Sequence, residues 1–282
     1  MTRRIDNHHH LWDPTRASYP WMTDELASIR RPFTEADLEA DLVAAGIDAT
    51  IVVQARTDVA ETHELLAVAG ASTRVVGVVG WMDLTDPAIG DRLAELRSGP
   101  AGDRLVGIRH PVQDEPDPAW LERADVGRGL AAVGSAGLAY DLLVRTRELP
   151  AALVAVRARP DLRFVIDHLA KPGIAAGSWE PWATGMRALA AHEHVACKLS
   201  GMVTEAAWDA WTVDQLRPYA DLVLEAFGPD RVLFGSDWPV CLLAGPYQRV
   251  AAAARELIGA LSPDEQAAVL GGTAERVYAL RP

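Results

Sequence analysis

The feature that most constrains the fold of this chain is a regular alternation of short apolar strands with helical segments. Eight runs rich in β-branched residues recur along the sequence, and each is followed by a segment with helical periodicity. Their spacing of roughly 25 to 45 residues is what a strand, a crossover helix and two loops require. The predicted strands are residues 4–8, 50–54, 75–81, 105–109, 138–143, 164–167, 195–199 and 232–235.

Helix boundary signals fall between these runs. Thr34 precedes a periodic segment with acidic residues in its first turn, and Gly46 follows its last periodic position, so we predict a helix between them. An Asp-Pro pair at Asp117 predicts a helix start before the fifth strand. A Ser-Pro start at Ser262 with a capping-box Glu265 predicts the last helix.

The alternation predicts a single (β/α)8 TIM barrel that occupies residues 1–282 as one domain. Several of the strands are apolar on both faces, as parallel strands between a core and a helix layer are. The competing arrangement is an open doubly wound sheet, which normally carries a glycine-rich phosphate loop after its first strand. Here the first strand runs into HHHLWDPT, which contains no glycine. The barrel is therefore favoured.

Charge and composition exclude several classes of protein. The chain has 27 basic and 39 acidic residues, a net charge of −12, and such a surface repels nucleic-acid backbones. Cys197 and Cys241 are the only cysteines, which rules out a disulfide framework and a cysteine zinc motif. No apolar run is long enough to span a membrane, and the start lacks a secretory apolar region. We expect a cytoplasmic protein that binds neither nucleic acid nor membrane.

Polar side chains gather at the predicted strand ends. In a barrel of this kind the carboxyl ends of all the strands face one opening, where catalytic residues collect. Five of the eight histidines lie at or beside these ends, and so do the two lysines of the chain, Lys171 and Lys198. The ends carry His8, His9, His10, Gln54, Trp81, Arg109, His110, Tyr140, Asp141, Asp167, His168, Lys198, Ser200, Ser236, Asp237 and Trp238.

The first strand ends in three consecutive histidines. Strand alternation puts His8 and His10 on one side and His9 on the other, where it has a packing role. Two imidazoles two residues apart can converge on one cation, and nitrogen ligands suit zinc or a similar metal. The His-x-His pair is a weak signal alone. It becomes strong together with a strand that ends in Asp-His and a last strand that ends in Ser-Asp.

Six segments of the chain together resemble the amidohydrolase superfamily. They are IDNHHHLWDP, GIRHPVQDEPDPAWL, FVIDHLAKP, CKLSGMVTEA, RVLFGSDWPV and LGGTAERVYAL, and they follow one another in the order of the predicted strands. More narrowly, they resemble the amidohydrolase-2 branch, which contains sugar lactonases such as L-fuconolactonase and L-rhamnonolactonase. The resemblance runs from residue 4 to about residue 280 and implies a hydrolase on the same barrel.

The resemblance implies a central group made of His8, His10, His168 and Asp237, with these four as the candidate metal ligands. Asp237 would be the general base and His168 a second catalytic residue. Binuclear members of the superfamily use a bridging lysine or glutamate at the fourth strand, where this chain has Arg109. We therefore expect at most one divalent metal, with zinc as the first choice. Some lactonases of this branch work without a metal, so the need for one stays open.

Five further side chains at the mouth are candidates for substrate contact. Each also has a simpler structural role, because charged groups can form ion pairs on the rim and tryptophans can pack in the core. Asp237 and His168 have structural alternatives too, as a helix cap and as a hydrogen-bonding partner of the backbone. Lys198 can point into the barrel and pair with Asp141. The five candidates are Arg109, His110, Lys171, Trp81 and Trp238.

The function that these predictions favour is the hydrolysis of a small polar or anionic lactone of a sugar acid. Asp237 would take a proton from water, and a cation on the histidines, or a protonated histidine with Arg109, would stabilise the oxyanion. His168 or His110 would protonate the departing alkoxide. Residues 12–32, rich in Trp, Tyr and Pro, are our candidate for a loop that covers the substrate.

Two alternatives remain open. One is a metal-dependent decarboxylase of an aromatic or muconate-like acid, which would use the same barrel and the same residues. The other is a non-catalytic metal-binding barrel, which predicts that a ligand at some strand end is missing. No such ligand is replaced by an apolar residue here. The sequence does not indicate the oligomeric state.

Overall fold

The computed structural model describes residues 3–281, and at its centre lies a sheet of eight parallel strands in sequential order. Sequential order confirms the predicted (β/α)8 barrel, because a doubly wound sheet places strands out of order. The ends of the predicted domain, Met1, Thr2 and Pro282, lie outside the described residues. The strands are β1 Ile5–His9, β2 Ala49–Val53, β3 Val75–Gly80, β4 Leu105–His110, β5 Ala139–Leu142, β6 Phe164–Ile166, β7 Val195–Leu199 and β8 Val232–Phe234.

The first and last strands meet and close the ring at its upper end. The backbone N–H of Asp237 donates to the carbonyl of His8 at 2.8 Å, and that of His10 donates to the carbonyl of Trp238 at 2.7 Å. Lower down, the side-chain amide of Asn7 donates to the carbonyl of Phe234 at 2.9 Å. The two ends of the sheet therefore come together beside the histidine run.

Helices cover the outside of the sheet, as the alternation predicts. None of the helices within residues 3–281 is long and apolar enough to cross a membrane. A π-helical segment, Ala268–Gly272, joins the last two helices. The helices are α1 Glu35–Ala45, α2 Val59–Ala71, α3 Ile89–Ser98, α4 Ala124–Ser135, α5 Leu149–Ala158, α6 Trp182–Ala190, α7 Met202–Glu205, α8 Val213–Phe227, α9 Tyr247–Leu257, α10 Pro263–Ala267 and α11 Thr273–Val277.

Two of the three predicted helix starts are confirmed. Thr34 caps α1 with a capping box, and Gly46 ends that helix in a left-handed conformation at φ 64°. Ser262 accepts a hydrogen bond from the backbone N–H of Glu265 at the start of α10. The start predicted at Asp117 is wrong, because its carboxylate accepts the N–H of Ala119 in a turn and α4 begins only at residue 124.

The apolar core has two parts, one between the strands and the helices and one inside the ring. The inner part is a compact layer to which most strands contribute, including Ile5, Ile51, Val79, Val165 and Leu233. Ala274 of α11 and the following Tyr278 also belong to it. The C-terminal helix therefore closes the barrel at the end opposite the site, and the polar strand ends are left at the other opening.

Candidate active site

Three histidines and one aspartate converge at the carboxyl ends of β1, β6 and β8. The Oδ1 atom of Asp237 lies 3.4 Å from Nε2 of His10, 3.8 Å from Nε2 of His168 and 3.9 Å from Nε2 of His8. The Nε2 atoms of His8 and His10 are 3.2 Å apart. The structure thus brings together the four residues that the sequence places in the central group.

An irregularity in β1 sets which way its histidines face. The pairing register between β1 and β2 shifts between Asp6 and His9. Strict alternation would put Ile5 and His9 on one face, yet Ile5 lines the barrel interior whereas His9 bonds Thr50 at 3.0 Å. The shift lets Ile5 fill the inner layer while His8 faces the mouth. The prediction that His9 packs away from the site is confirmed.

Each of the three site histidines has its Nδ1 atom beside a hydrogen-bond acceptor. His10 Nδ1 lies 2.8 Å from the carbonyl oxygen of Val53, and His168 Nδ1 lies 2.9 Å from Oγ of Ser200. His8 Nδ1 lies 3.3 Å from the Oδ1 atom of Asp167. The carbonyl beside His10 places its ring proton on Nδ1 and leaves the lone pair on Nε2, as in histidines that bind metals. The hydroxyl of Ser200 can accept from His168 or donate to it, and Nδ1 of His8 also lies 3.1 Å from the ammonium of Lys198, which can only donate.

Three of these residues, His8, His168 and Asp237, offer ligand atoms that all lie within 4.8 Å of one another, so they could hold one cation. Nε2 of His10 lies near two of them, His8 and Asp237. Ligand atoms about 2.0 Å from a single Zn²⁺ lie about 3.3 Å apart, close to the separations of 3.2 to 3.9 Å measured here. Burial is the main cause that lowers the pKa of His8 well below its usual value and that of His168 to about 4. Both rings are therefore neutral at pH 7, the form in which imidazole binds a metal.

Asp237 is held as a carboxylate in a left-handed backbone conformation at φ 59°. Burial raises the pKa of Asp237, but the nearby His168 and His10 lower it by a larger total amount. The pKa therefore lies below its ordinary value. The side chain is 6% exposed, and this exposed edge faces the mouth. A carboxylate in this state can accept a proton at neutral pH.

The backbone after β6 turns left-handed over four consecutive residues, 168–171, with φ between 49° and 55°. Val165 lies in the barrel interior, so alternation directs Asp167 inward and His168 outward. The left-handed turn brings His168 back to the mouth, and both side chains reach the site. Asp167 and His168, which alternation would send to opposite faces, therefore both belong to the site. The imidazole of His168 fits here because residue 201 is a glycine: a Cβ at that position would lie 2.5 Å from Nδ1 of His168.

Arg109 lies under the site, and protein groups contact both of its terminal nitrogens. Its Nη1 donates to Asp167 Oδ2 at 2.9 Å and lies 3.1 Å from Nε2 of His8, while its Nη2 donates to Gln54. The residue is 3% exposed. Its position beside the histidines leaves room for one cation and opposes a second, while its predicted contact with substrate remains a prediction.

His110 is also engaged on both ring nitrogens. Trp81 Nε1–H donates to its Nδ1 at 3.1 Å, and its Nε2 lies 2.8 Å from an oxygen of Glu115. The ring stacks on Trp120 with centroids 4.3 Å apart. Because Nδ1 accepts, Nε2 carries the proton and donates it to Glu115. His110 thus anchors the loop after β4, and Trp81 remains half-buried beside it.

Lys171 is the most accessible of the predicted cations at the mouth. Its side chain is 22% exposed and lies 3.9 Å from the Glu205 carboxylate, a weak ion pair. Beyond Glu205, between the loops after β7 and β8, lies an open cavity of about 580 Å³ lined by Ala206, Trp208, Asp209 and Leu243. The predicted contact of Lys171 with substrate stays a prediction.

The aromatic residues near β1 and β8 are mostly packed. Trp238 is 2% exposed and contacts the edge of Phe33 at 5.2 Å between centroids, which gives its predicted contact with substrate no support. Trp12 lies parallel to His10 and meets Trp21 edge-on. Residues 12–32 therefore lie against the side of the site, and their covering role stays a prediction.

Several residues of the site carried signals that the sequence analysis did not use. Ser200 and Gln54 were named among the strand ends but were given no role. Lys198 was given a possible pairing with Asp141 and no role in the site. The structure shows Lys198 fully buried, with Nζ 2.5 Å from Asp141 Oδ2 and 2.9 Å from Asp167 Oδ1. Burial raises the pKa of Asp141 to about 6, although Lys198 opposes this. The pairing proposed for Lys198 and Asp141 is confirmed.

Comparison with known proteins places this geometry in one family. An L-fucono-1,5-lactonase from Burkholderia multivorans is 42% identical over 98% of this chain and 96% of that protein. Another from Burkholderia ambifaria is 40% identical over 99% and 96%. A solved Burkholderia multivorans amidohydrolase with bound Zn is 39% identical, with a TM-score of 0.94 over 99% of this chain and 100% of that one.

The decarboxylase alternative has only a distant counterpart. A 5-carboxyvanillate decarboxylase from Sphingomonas paucimobilis covers the full chain at 14% identity and a TM-score of 0.64, which is a likeness of fold alone. In contrast, the family model described as amidohydrolase, Amidohydro_2, matches residues 5–280, a span that includes the β1 histidines, His168 and Asp237. The resemblance seen in the sequence is thereby confirmed, and the chain belongs to the Amidohydro_2 family of amidohydrolases.

Proposed function

We propose that this protein is a hydrolase that opens a small sugar-acid lactone, with L-fucono-1,5-lactone as the first substrate to test. One observation carries the proposal: the buried carboxylate of Asp237 lies within 3.9 Å of three imidazole Nε2 atoms at the barrel mouth. Support comes from the two lactonases that are at least 40% identical over nearly the whole chain. The cytoplasmic location and the single domain stay predictions.

We assign the proton transfer to Asp237. Its carboxylate accepts a proton from the attacking water, and the protonated side chain then donates it to the departing alkoxide. His168 fits the donor role less well, because its Nδ1 faces Ser200 and its Nε2 carries a lone pair. His110 fits it less well too, because its Nε2–H is committed to Glu115. His168 then serves beside Asp237 as a neutral ring that can help to hold a metal.

His8, His10, His168 and Asp237 are the residues that would hold a metal, and we propose a single Zn²⁺. A bound zinc ion polarises a carbonyl oxygen and lowers the pKa of water. Arg109, 3.1 Å from His8 Nε2, places a fixed positive charge beside the same atoms. This charge favours the oxyanion that forms when water attacks the lactone.

We assign substrate binding to Lys171 and Trp81, which keep exposed surface at the mouth. The ammonium group of Lys171 can donate to ring hydroxyls or the lactone carbonyl, and the indole of Trp81 can cover an apolar sugar face. Arg109 and His110 act mainly through the groups that they fix. Trp238 supports the site from the core.

The test is a lactone panel with the purified protein. L-fucono-1,5-lactone, L-rhamnono-γ-lactone and an acyclic ester are assayed with a pH indicator, before and after chelation and after zinc is restored. We expect acid release from the sugar lactones above the buffer blank, loss on chelation and recovery with zinc. Release of carbon dioxide from an aromatic acid, with no acid released from any lactone, would instead favour the decarboxylase.

A further inference from the structure

A chain of buried polar groups runs from the floor of the barrel to His8. Lys198 has no exposed surface, and its Nζ contacts Asp141, Asp167 and, at 3.1 Å, Nδ1 of His8. Asp167 in turn lies 3.3 Å from the same Nδ1 atom. None of Lys198, Asp141 or the groups below them takes part in the proton transfer assigned above.

Burial of these charges needs a reason. An ammonium group or a carboxylate placed in a protein interior is costly unless it is paired and hydrogen-bonded. Here the two carboxylates of Asp141 and Asp167 face the ammonium of Lys198 and the guanidinium of Arg109, so the cluster is balanced in charge. Such a closed group is stiff, because no member can move without leaving a partner unpaired.

The row of buried polar groups starts near the C-terminal end of the polypeptide, at Tyr278. Tyr278 follows α11 and enters the ring from the end opposite the site, with its aromatic ring in the inner apolar layer. Its hydroxyl contacts both carboxylate oxygens of Asp141, at 2.8 and 3.0 Å. Within residues 3–281, Tyr278 and Lys198 are the two side chains that hydrogen-bond this carboxylate. The C-terminal helix therefore reaches a site residue through three side chains.

We propose that Tyr278, Asp141 and Lys198 are positioning residues that fix the ring orientation of His8, through Asp167 and through the contact of the Lys198 ammonium with Nδ1 of His8. None of the three touches the reacting atoms. Tyr278 holds Asp141, Asp141 holds the ammonium of Lys198, and Lys198 holds Asp167 against His8. The proposal deepens the proposed function and rests on it only for the role of His8 at the reacting centre.

The central experiment replaces one hydroxyl group. Tyr278→Phe keeps the ring in the apolar layer and removes the bonds to Asp141. Tyr219→Phe is the matched control, because Tyr219 is also buried and its hydroxyl donates to the carbonyl of Ser178 at 3.0 Å, away from this cluster. Groups that orient a metal-binding histidine typically change activity about tenfold or more when removed. We expect kcat on the lactone to fall about tenfold in Tyr278→Phe, with KM within about twofold, and not to fall in Tyr219→Phe.

A second measurement does not depend on the substrate. Imidazole ¹⁵N NMR of the protein as purified reports which ring nitrogen of His8 carries the proton, and the signal is assigned by its loss in His8→Gln. We expect one sharp set of His8 ring signals in the wild type, a shifted or exchange-broadened set in Tyr278→Phe, and an unchanged set in Tyr219→Phe. Lys198→Met, which keeps the length of the side chain, should have the larger effect.

The outcomes separate the two proposals. If no lactone is hydrolysed, the proposed function fails, while the NMR signal of His8 still decides the positioning network. If Tyr278→Phe keeps the wild-type His8 signal and the wild-type kcat, the network is wrong. Equal losses of kcat in Tyr278→Phe and Tyr219→Phe would also overturn the network, because they would show a general loss of stability.

Discussion

His8, His10 and His168 differ in the acceptor that each one finds at Nδ1. His10 faces a backbone carbonyl, His168 a hydroxyl group and His8 a carboxylate. A carboxylate partner raises the basicity of the opposite ring nitrogen most strongly. At His8 the ammonium of Lys198, 3.1 Å from the same Nδ1, opposes this effect, so His8 is the one ring of the three that is set between two opposite charges.

Asp237→Asn tests the general base directly. Asparagine keeps the shape of the side chain but cannot take a proton, and general-base catalysis contributes about 10²- to 10⁴-fold to rate. We expect kcat on L-fucono-1,5-lactone to fall by about this factor, with a melting temperature within a few degrees of the wild type. Asp264→Asn, an exposed carboxylate in α10, is the control and should keep full activity. Wild-type turnover by Asp237→Asn would contradict the assignment.

Lys171→Gly separates stability from substrate binding. Lys171 has φ 49°, and a left-handed backbone costs a residue with a Cβ about 1 kcal/mol. Glycine removes this cost and so stabilises the folded state, but its greater freedom in the unfolded chain offsets part of the stabilisation. We expect the free energy of unfolding to rise by about 0.5 kcal/mol, while KM for the lactone rises because the ammonium is lost. Urea denaturation and initial-rate kinetics measure the two effects.

Ala101→Gly is the matched control for this variant. Ala101 has φ 52° and lies in the loop before β4, at the end of the barrel opposite the mouth. Ala101→Gly should raise the free energy of unfolding by a similar amount and leave KM for the lactone unchanged. If Lys171→Gly keeps the wild-type KM, Lys171 does not bind the substrate.

For single residues, the sequence predicts which side chains form the site better than it predicts which groups they contact. His8, His10, His168 and Asp237 were predictable because each ends a strand, and strand ends of a parallel barrel meet. The contacts that occupy Arg109 and His110 were not predictable, because Gln54 ends a different strand and because the fold of the loop after β4, which brings Glu115 back to His110, has no local pattern. Which charges are free to meet a ligand depends on packing that motif spacing does not contain.

Two strands of the barrel depart from simple alternation, and both departures serve the site. β1 shifts register between Asp6 and His9, and the segment after β6 turns left-handed from residue 168. In each case a histidine reaches the mouth that alternation would direct elsewhere. Alternation alone does not predict that Asp167 and His168 both reach the site, because it assumes a regular strand. Breaks of this kind are common beside active sites.

The loop after β2 is fixed by a buried carboxylate whose charge depends on pH. Glu61 of α2 accepts the N–H groups of Ala55 and Arg56, yet burial raises its pKa from 4.5 to about 7. Between these values the folded protein keeps a proton that the unfolded chain loses. The contribution of this group to the free energy of unfolding therefore falls as pH rises from 4.5 to about 7, by about 3 kcal/mol.

Glu61→Gln removes this dependence. We expect the difference in free energy of unfolding between the wild type and Glu61→Gln to shift against the wild type as pH rises from 5 to 7. Urea denaturation at several pH values measures it. Glu64→Gln is the control, because Glu64 is exposed on the same helix and also contacts Arg56. A difference that stays flat with pH would show that Glu61 does not titrate in this range.

The molecule as a whole depends on its two ends. Asn7 of β1 bonds Phe234 of β8 across 227 positions of sequence, and Tyr278 fills the barrel floor. A chain that stops after residue 272 loses Ala274 and Tyr278 from the inner layer. Removing a large buried side chain costs about 3 to 5 kcal/mol, a large part of the stability of a domain.

We therefore expect the chain that lacks residues 273–282 to lose cooperative melting or to melt much lower, as measured by circular dichroism. A chain that lacks only residues 281–282 is the control and should melt like the wild type, because Arg281 is exposed. Wild-type melting of the shorter chain would show that α11 and Tyr278 do not stabilise the barrel.

At this scale the sequence is most informative. All eight predicted strands are present, with ends within two residues of the predicted ones, because runs of β-branched residues between turns are a local signal. The plug formed by Tyr278 was not predictable, because no local pattern indicates that a C-terminal aromatic enters the ring. The oligomeric state likewise has no signal in the sequence.

The closure of β1 on β8 also governs when activity can arise during synthesis. The histidines of β1 leave the ribosome first, whereas Asp237 and Tyr278 leave it among the last residues. A nascent chain that has not yet reached residue 237 thus holds His8, His10 and His168 and still lacks both the Asp237 carboxylate and the floor formed by Tyr278. Catalysis should therefore start only after release of the finished polypeptide.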